Sequence, residues 1–353
     1  MAYTSGKDSI KKQKKMSFLV REAQERLEKS ELIRLNKLID WAKVRSKMGN
    51  LDRSGYGPNG YSPLKLFKAL ILQAWHNLSD EGLEEALRVR LDFMVISGLE
   101  QVPDHTTLCR FRNLLTKLDL WDSLLKEVNR QLEARGLKVK QSQGAIIDAT
   151  IIESAARPGK ALEAVAVDRE EEESPIFEVE GAETLSKDPD ARWLKKGKKS
   201  YFGYKGFMIT DQEDGYIEQV HVTPAHVSEV KELEKIIENR QDERLYGDKG
   251  YASKSNKELL KSKGIKNGLM AKAKKNKPLT HWQKIFNRLI SKVRYKVEQG
   301  FGTLKRKFKM GRASYFTTAK VRGQMAVKAI AFNLLKALNK TQFRQSTPSL
   351  RLS

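Results

Sequence analysis

Three acidic residues stand out by where they sit. Asp148 interrupts the apolar run Ala145, Ile146, Ile147, Asp148, Ala149, Thr150, where an unpaired buried charge would cost at least several kcal/mol, roughly. Asp248 closes the run Leu245, Tyr246, Gly247, just ahead of Lys249 and Gly250, and Glu298 is nearly the only acid in a strongly basic stretch. Taken singly, each has an ordinary explanation: a turn or salt bridge for either aspartate, a surface ion pair with Arg294 or Lys305 for the glutamate. Taken together they form an all-oxygen donor set, which suits Mg²⁺, with Mn²⁺ as its substitute, because such ions keep several waters and need few protein ligands. Two such ions ~4 Å apart are a means of breaking and forming phosphodiesters.

The elements that would carry these acids can be read from periodicity. Ala145 to Ile152 is a short β-branched run of the kind that forms a buried strand. Tyr201 to Asp211 and Tyr216 to Val222 are strands joined by a turn at Asp214 and Gly215, and Arg244 to Gly247 is a fourth strand ending at Asp248. Helices follow from Ser228 and over Ser253 to Ser262, a fifth strand over Gly268 to Ala271, and a long final helix over Asn287 to Lys309 that carries Glu298. Three antiparallel strands followed by helical crossovers to parallel ones is the order of an RNase H-like sheet, with Asp148 and Asp248 on neighbouring strands. On the helix, Arg294 lies one turn before Glu298 and Lys305 two turns after it, on the same face.

Upstream the pattern is helical. Ser62 and Pro63 open a helix through Leu64, Phe67, Leu70, Ile71, Ala74 and Trp75, while Ser79 and Asp104 are caps for two more. The expected fold class is therefore α+β: a flexible basic arm over 1–16, an all-helical domain over 17–140, an RNase H-like mixed-sheet catalytic domain over 141–340, and a tail over 341–353. A long loop over 154–199, with an acidic run at Glu170 to Glu173 and basic Lys195, Lys196, Lys198 and Lys199, interrupts the catalytic domain. His105, Thr106, Arg110 and Arg112 on the third helix suit either a helix-turn-helix reader of DNA or generic packing.

Charge points to the partner. The formal net charge is +23, and residues 254–312 hold nineteen Lys or Arg against Glu258 and Glu298 alone, so a polyanion is expected to bind there. Aromatics near these cations, Tyr251, Trp282, Phe286 and Phe301, read as core before they read as base-stacking platforms. The longest apolar stretch, Leu64 to Trp75, is broken by Lys65, Lys68 and Gln73, far from the ~20 residues a bilayer requires. No membrane association is expected; with a single cysteine, Cys109, and no secretory pattern at the N-terminus, a cytoplasmic, nucleoid-associated setting is. Serine-hydrolase elbows and P-loops are absent, and the five histidines lack a zinc spacing.

The runs Gly144 to Glu153 and Arg244 to Tyr251, together with the spacing Arg294, Glu298, Lys305, resemble the bacterial insertion-sequence DDE transposases of the fourth and fifth insertion-sequence families, the fifth above all. Leu78-Ser79-Asp80 and Val102 to Thr107 are similar to the N-terminal module of that group. The resemblance implies that Asp148, Asp248 and Glu298 are the catalytic metal-binding triad and that Arg294 and Lys305 contact DNA near the cleaved phosphate. Where the family often has a tyrosine three residues before that arginine this chain has Ser291, with Tyr295 a candidate substitute. Tyr204 and Lys205, in Gly203-Tyr204-Lys205-Gly206, resemble a family stretch on the second strand, with strand packing the first reading for Tyr204; Lys249, Arg306 and Lys309 complete the candidate DNA contacts. The implied reaction is metal-dependent cleavage at inverted-repeat transposon ends and attack of the freed 3′ hydroxyl on target DNA, by at least a homodimer on paired ends. A catalytically inactive DNA-binding regulator and a plain RNase H-like nuclease are the alternatives.

Overall fold

A computed structural model of the chain describes residues 25, 27–28, 30–49, 51, 60–140, 142–156, 186–273 and 276–346. The 1–16 arm and the acidic run at 170–173 lie outside these. The elements described in full begin with helices: α1 (Glu31–Lys37), α2 (Trp41–Ser46), α3 (Pro63–His76), α4 (Asp80–Val89), α5 (Leu91–Ser97), α6 (His105–Lys117) and α7 (Trp121–Ala134). Their starts are set by local chemistry. The Ser79 hydroxyl accepts from the Gly82 N–H and the Asp104 carboxylate from the Thr107 N–H, each satisfying a donor that a helix N-terminus leaves free. Ser62 precedes α3 without a side-chain bond, and Pro63 at the first helical position does the work there.

The sheet follows, built from β1 (Gly144–Glu153), β2 (Arg192–Lys196), β3 (Lys199–Asp211), β4 (Ile217–Pro224), β5 (Arg244–Gly247) and β6 (Lys266–Leu269), with α8 (Glu229–Ile236) and α9 (Lys254–Ser262) between the later strands. β3 lies antiparallel to β1, β2 and β4, whereas β5 is parallel to β1 and β6 parallel to β5. The path β4, β3, β1, β5, β6 is the RNase H-like order expected from the sequence. β6 lies two residues earlier than its expected position.

Strand alternation divides the sheet into two faces. Ala145, Ile147, Phe207 and Ile209 face α8 and α9, packing on Leu233, Ile236 and Leu260. Ile146, Ile152, Tyr204 and Met208 face the other way, onto α10 (His281–Arg306) and α11 (Thr318–Ser346). α10 begins six residues before the expected Asn287 because Thr280 and Gln283 form a reciprocal capping box.

Two expectations are corrected. The 154–199 segment is not all loop, since β2 and the start of β3 make a hairpin that carries Lys195, Lys196 and Lys199. The helix of Glu298 is not the last one: α11 follows, takes in residues 341–346 of the expected tail, and packs on α1, α3, α6, α7, α10 and β4. Its Val321, Met325, Ala329, Ile330, Leu334 and Leu338 belong to one apolar cluster that also includes Leu32, Phe67, Leu87 and Val128 from the helical region and Ile146 from the sheet. The core therefore runs through the sequence boundary at 140 without a break. Among the described residues no helix is long and apolar enough to cross a membrane.

Candidate active site

β1 and β5 are in register at Ile146 and Tyr246, so Asp148 and Asp248, each two residues further on, reach the same end of the sheet. Even-numbered residues of β1 face α10, and α10 packs on β1, β3 and β5. That helix brings Arg294 and, one turn later, Glu298 over the same point.

The three acids meet there around one cation. An Arg294 Nη donates to the Asp148 carboxylate at 2.9 Å and stands 3.7 Å from that of Glu298, while the other Nη is 3.7 Å from the Asp248 carboxylate. Exposure is graded across the set: the Arg294 side chain is 9% accessible, Asp148 17%, Asp248 38% and Glu298 60%. Backbone N–H groups of Ala149 and Lys249 donate to Asp148 and Asp248 and fix the two carboxylates. Desolvation raises the Asp148 pKa from the ordinary value to about 6, with Asp248 adding to the shift and the Arg294 guanidinium and the Ala149 N–H opposing it.

Two further residues shape the floor of this site. The Tyr251 side chain is fully buried with its hydroxyl unpaired, and burial and then the nearby carboxylates of Glu229, Asp148 and Asp248 push its pKa far up. Met270 Sδ lies 3.6 Å from the second Arg294 Nη. In the sequence Tyr251 ends the run Arg244 to Tyr251 and stands among aromatics near cations, with no role of its own, and nothing singles out Met270; the strand ends that bring both here are visible only once β5 and β6 are paired.

Residues 140–334 match the family described as Transposase DDE domain, and residues 20–114 the one described as Transposase domain (DUF772). Over 232 residues the chain is 45% identical to the transposase for insertion sequence element IS1106 of Neisseria meningitidis serogroup B, an alignment covering 65% of this chain and 77% of that protein. The chain is an insertion-sequence DDE transposase. It catalyses transposition of an insertion sequence. A more distant likeness is to the structure of a piggyBac transposase synaptic complex with hairpin DNA, covering 91% of this chain and 83% of that one at 10% identity and a TM-score of 0.40.

DDE transposases are in general dependent on divalent metal. Among the described residues no group of three His, Cys, Asp or Glu side chains is drawn into a ready-made metal cage. The donor set nevertheless fits such an ion: three carboxylates from three elements already surround a cation, the Arg294 guanidinium, whose Nε is buried without a partner.

The expected DNA contacts of the transposase divide sharply. Lys249, Lys305, Arg306 and Lys309 are exposed, and desolvation, reinforced by Lys196, lowers the Lys305 pKa. Tyr204 takes the packing role and not the DNA contact: it is fully buried in the core with its hydroxyl donating to Asp188. Lys205 is corrected, being buried on the α8 side of the sheet, opposite Asp148, with its ammonium on the Val227 carbonyl and near Glu229. Arg294, expected on a phosphate, is turned into the carboxylates. On α6, Arg112 is buried against Asp80 and Gln73, and His105 pairs with Glu84, so neither side chain is free to read a base from where it lies.

Proposed function

We propose that this transposase cuts the strand at inverted-repeat ends of its element and joins the freed 3′ hydroxyl to target DNA, with Asp148, Asp248 and Glu298 holding Mg²⁺ or Mn²⁺. The motif spacing supports placement in the fifth insertion-sequence family. One observation carries the assignment of the triad: three acids spread over half the chain converge on a single guanidinium. A divalent pair bound there would supply a strong nucleophile and charge relief on the leaving oxygen. The protein's own part is to position. Asp148 is held rigid in β1, Asp248 at the tip of β5, and Glu298 reaches in from solvent on α10. Arg294 competes with any arriving cation for the same oxygens and, once released, is free for a phosphate. Exposed Lys305, Arg306 and Lys309 continue the cationic face along which a duplex would lie, as two ends would in a dimer.

The test is a cleavage and gel-shift pair on a duplex carrying the element end. Asp148→Asn, Asp248→Asn and Glu298→Gln are each expected to abolish nicking in Mg²⁺ and Mn²⁺ while leaving the shift in place, because each removes a metal ligand and no phosphate contact. Full nicking by any one of them removes that residue from the triad.

A further inference from the structure

Away from the carboxylates, α3, α6, α7 and α11 line a cavity of about 130 Å³, open on one side, that also borders the 309–315 segment. At roughly 30 Å³ per water it has room for about four waters, or for one small polyatomic ion with little hydration. Its lining is rich in donors. Lys328, on α11, is 7% accessible and makes no hydrogen bond or ion pair among the described residues. Nothing but desolvation acts on it, lowering its pKa to about 8 with no carboxylate in reach. The Tyr315 hydroxyl is also without a hydrogen bond there, its ring covered by the Arg112 guanidinium at 4.3 Å. Of the amide oxygens in its lining, that of Gln73 accepts from Arg112 and that of Gln324 from the Ser314 N–H. Lys309, exposed and held in the left-handed backbone region at φ 51°, also borders the cavity.

The Lys328 side chain is buried along its length while its ammonium opens onto the cavity, a cation with no counter-charge beside it. We propose that this cavity is a binding site for a phosphate group, held by the Lys328 ammonium and the Tyr315 hydroxyl with Lys309 at its border. The chemistry is the same whether the phosphate is a free ion or belongs to a DNA backbone passing over Lys309, and it uses none of the triad.

The experiment compares the full-length wild type with Lys328→Met and Lys328→Arg. Binding of inorganic phosphate is measured by calorimetry at fixed ionic strength, and the salt dependence of binding to an end-containing duplex by titration. If the site takes the free ion, Lys328→Met weakens phosphate binding about tenfold or more, as loss of a hydrogen bond to a charged group implies, while Lys328→Arg retains it and the DNA salt slope is unchanged. If the occupant is a backbone phosphate, the slope for Lys328→Met falls by about one. A phosphate affinity and a salt slope both unchanged in Lys328→Met overturn the proposal, and its melting temperature in chloride confirms that the variant compared is folded.

Discussion

Burial lifts the Asp148 carboxyl to about 6 in the folded chain, against an ordinary value near 4 in an unfolded one. The folded state then holds more protons than the unfolded between these values, so stability falls as pH rises through that window. The cost, on the order of 3 kcal/mol, is fully present above pH 6. Asp148→Asn cannot titrate, so its melting temperature relative to the wild type is expected to climb from pH 4 to pH 6 and then level off; a flat difference would show that Asp148 ionises freely. Arg294 is the other half of this account. Arg294→Met leaves Asp148 buried without a partner and is expected to cost about 3–5 kcal/mol at neutral pH. Mg²⁺ should raise its melting temperature more than that of the wild type, since the competing cation is gone. An equal gain in both proteins would mean that the guanidinium and the metal do not share oxygens. Asp148 and Asp248 were legible because a charge at a strand position advertises itself. The inward turn of Arg294 was not, because helical spacing places a side chain on a face and cannot say whether that face meets solvent or three carboxylates.

β5 shows how tightly the elements hold the site. A Cβ at Gly247 would stand 2.8 Å from Leu269 Cδ2, 3.2 Å from Ile147 Cγ2 and 3.3 Å from Tyr251 Cδ2. Gly247→Ala must therefore displace the buried Leu269 side chain, and crowd Ile147 and Tyr251, immediately before Asp248. A loss of about 1–3 kcal/mol is expected, together with a fall in end cleavage well beyond any fall in DNA binding. Wild-type cleavage at a lowered melting temperature would show that Asp248 tolerates the displacement. Most elements could be read from their own residues. β1 announced itself by its β-branched run and α9 by its cap Ser253, whose hydroxyl accepts from the Asn256 N–H. α11 did not, for a physical reason: it is packed on nearly all sides, from Val321 and Met325 to Ala331 and Phe332, and a helix buried all round shows no apolar stripe. β2 was hidden differently, its exposed lysines making a strand look like a solvated loop. Lys205 on β3 misled through motif likeness, since the resemblance did not say which face of the sheet it occupies.

At the scale of the molecule, one buried amide joins the parts. Asn333 on α11 accepts from the Ile217 N–H and donates to the Ile217 carbonyl and to Asn129 on α7, which itself donates to that carbonyl. A sheet edge, the helical region and the last helix thus share a single polar knot inside the common core. Asn333→Ala leaves several of these groups unsatisfied and is expected to cost roughly 2–4 kcal/mol. Urea unfolding followed by both helical and tyrosine signals should keep one transition at a lower midpoint; two separated transitions would mean that the regions are stabilised independently. Periodicity changes near 140 and marks a boundary in the sequence, yet a change of local period carries no information about which residues share a core. The dependence on α11 also bears on how the molecule is made. All three acids have left the ribosome before Thr318 does, while the apolar surfaces of α3, α6 and α7 wait for a strap synthesised after every other described element. Until it arrives the nascent chain exposes those surfaces, so competence is acquired late and all at once, and a ribosome halted within Thr318–Ser346 releases a product with its acids encoded and its interior unsealed.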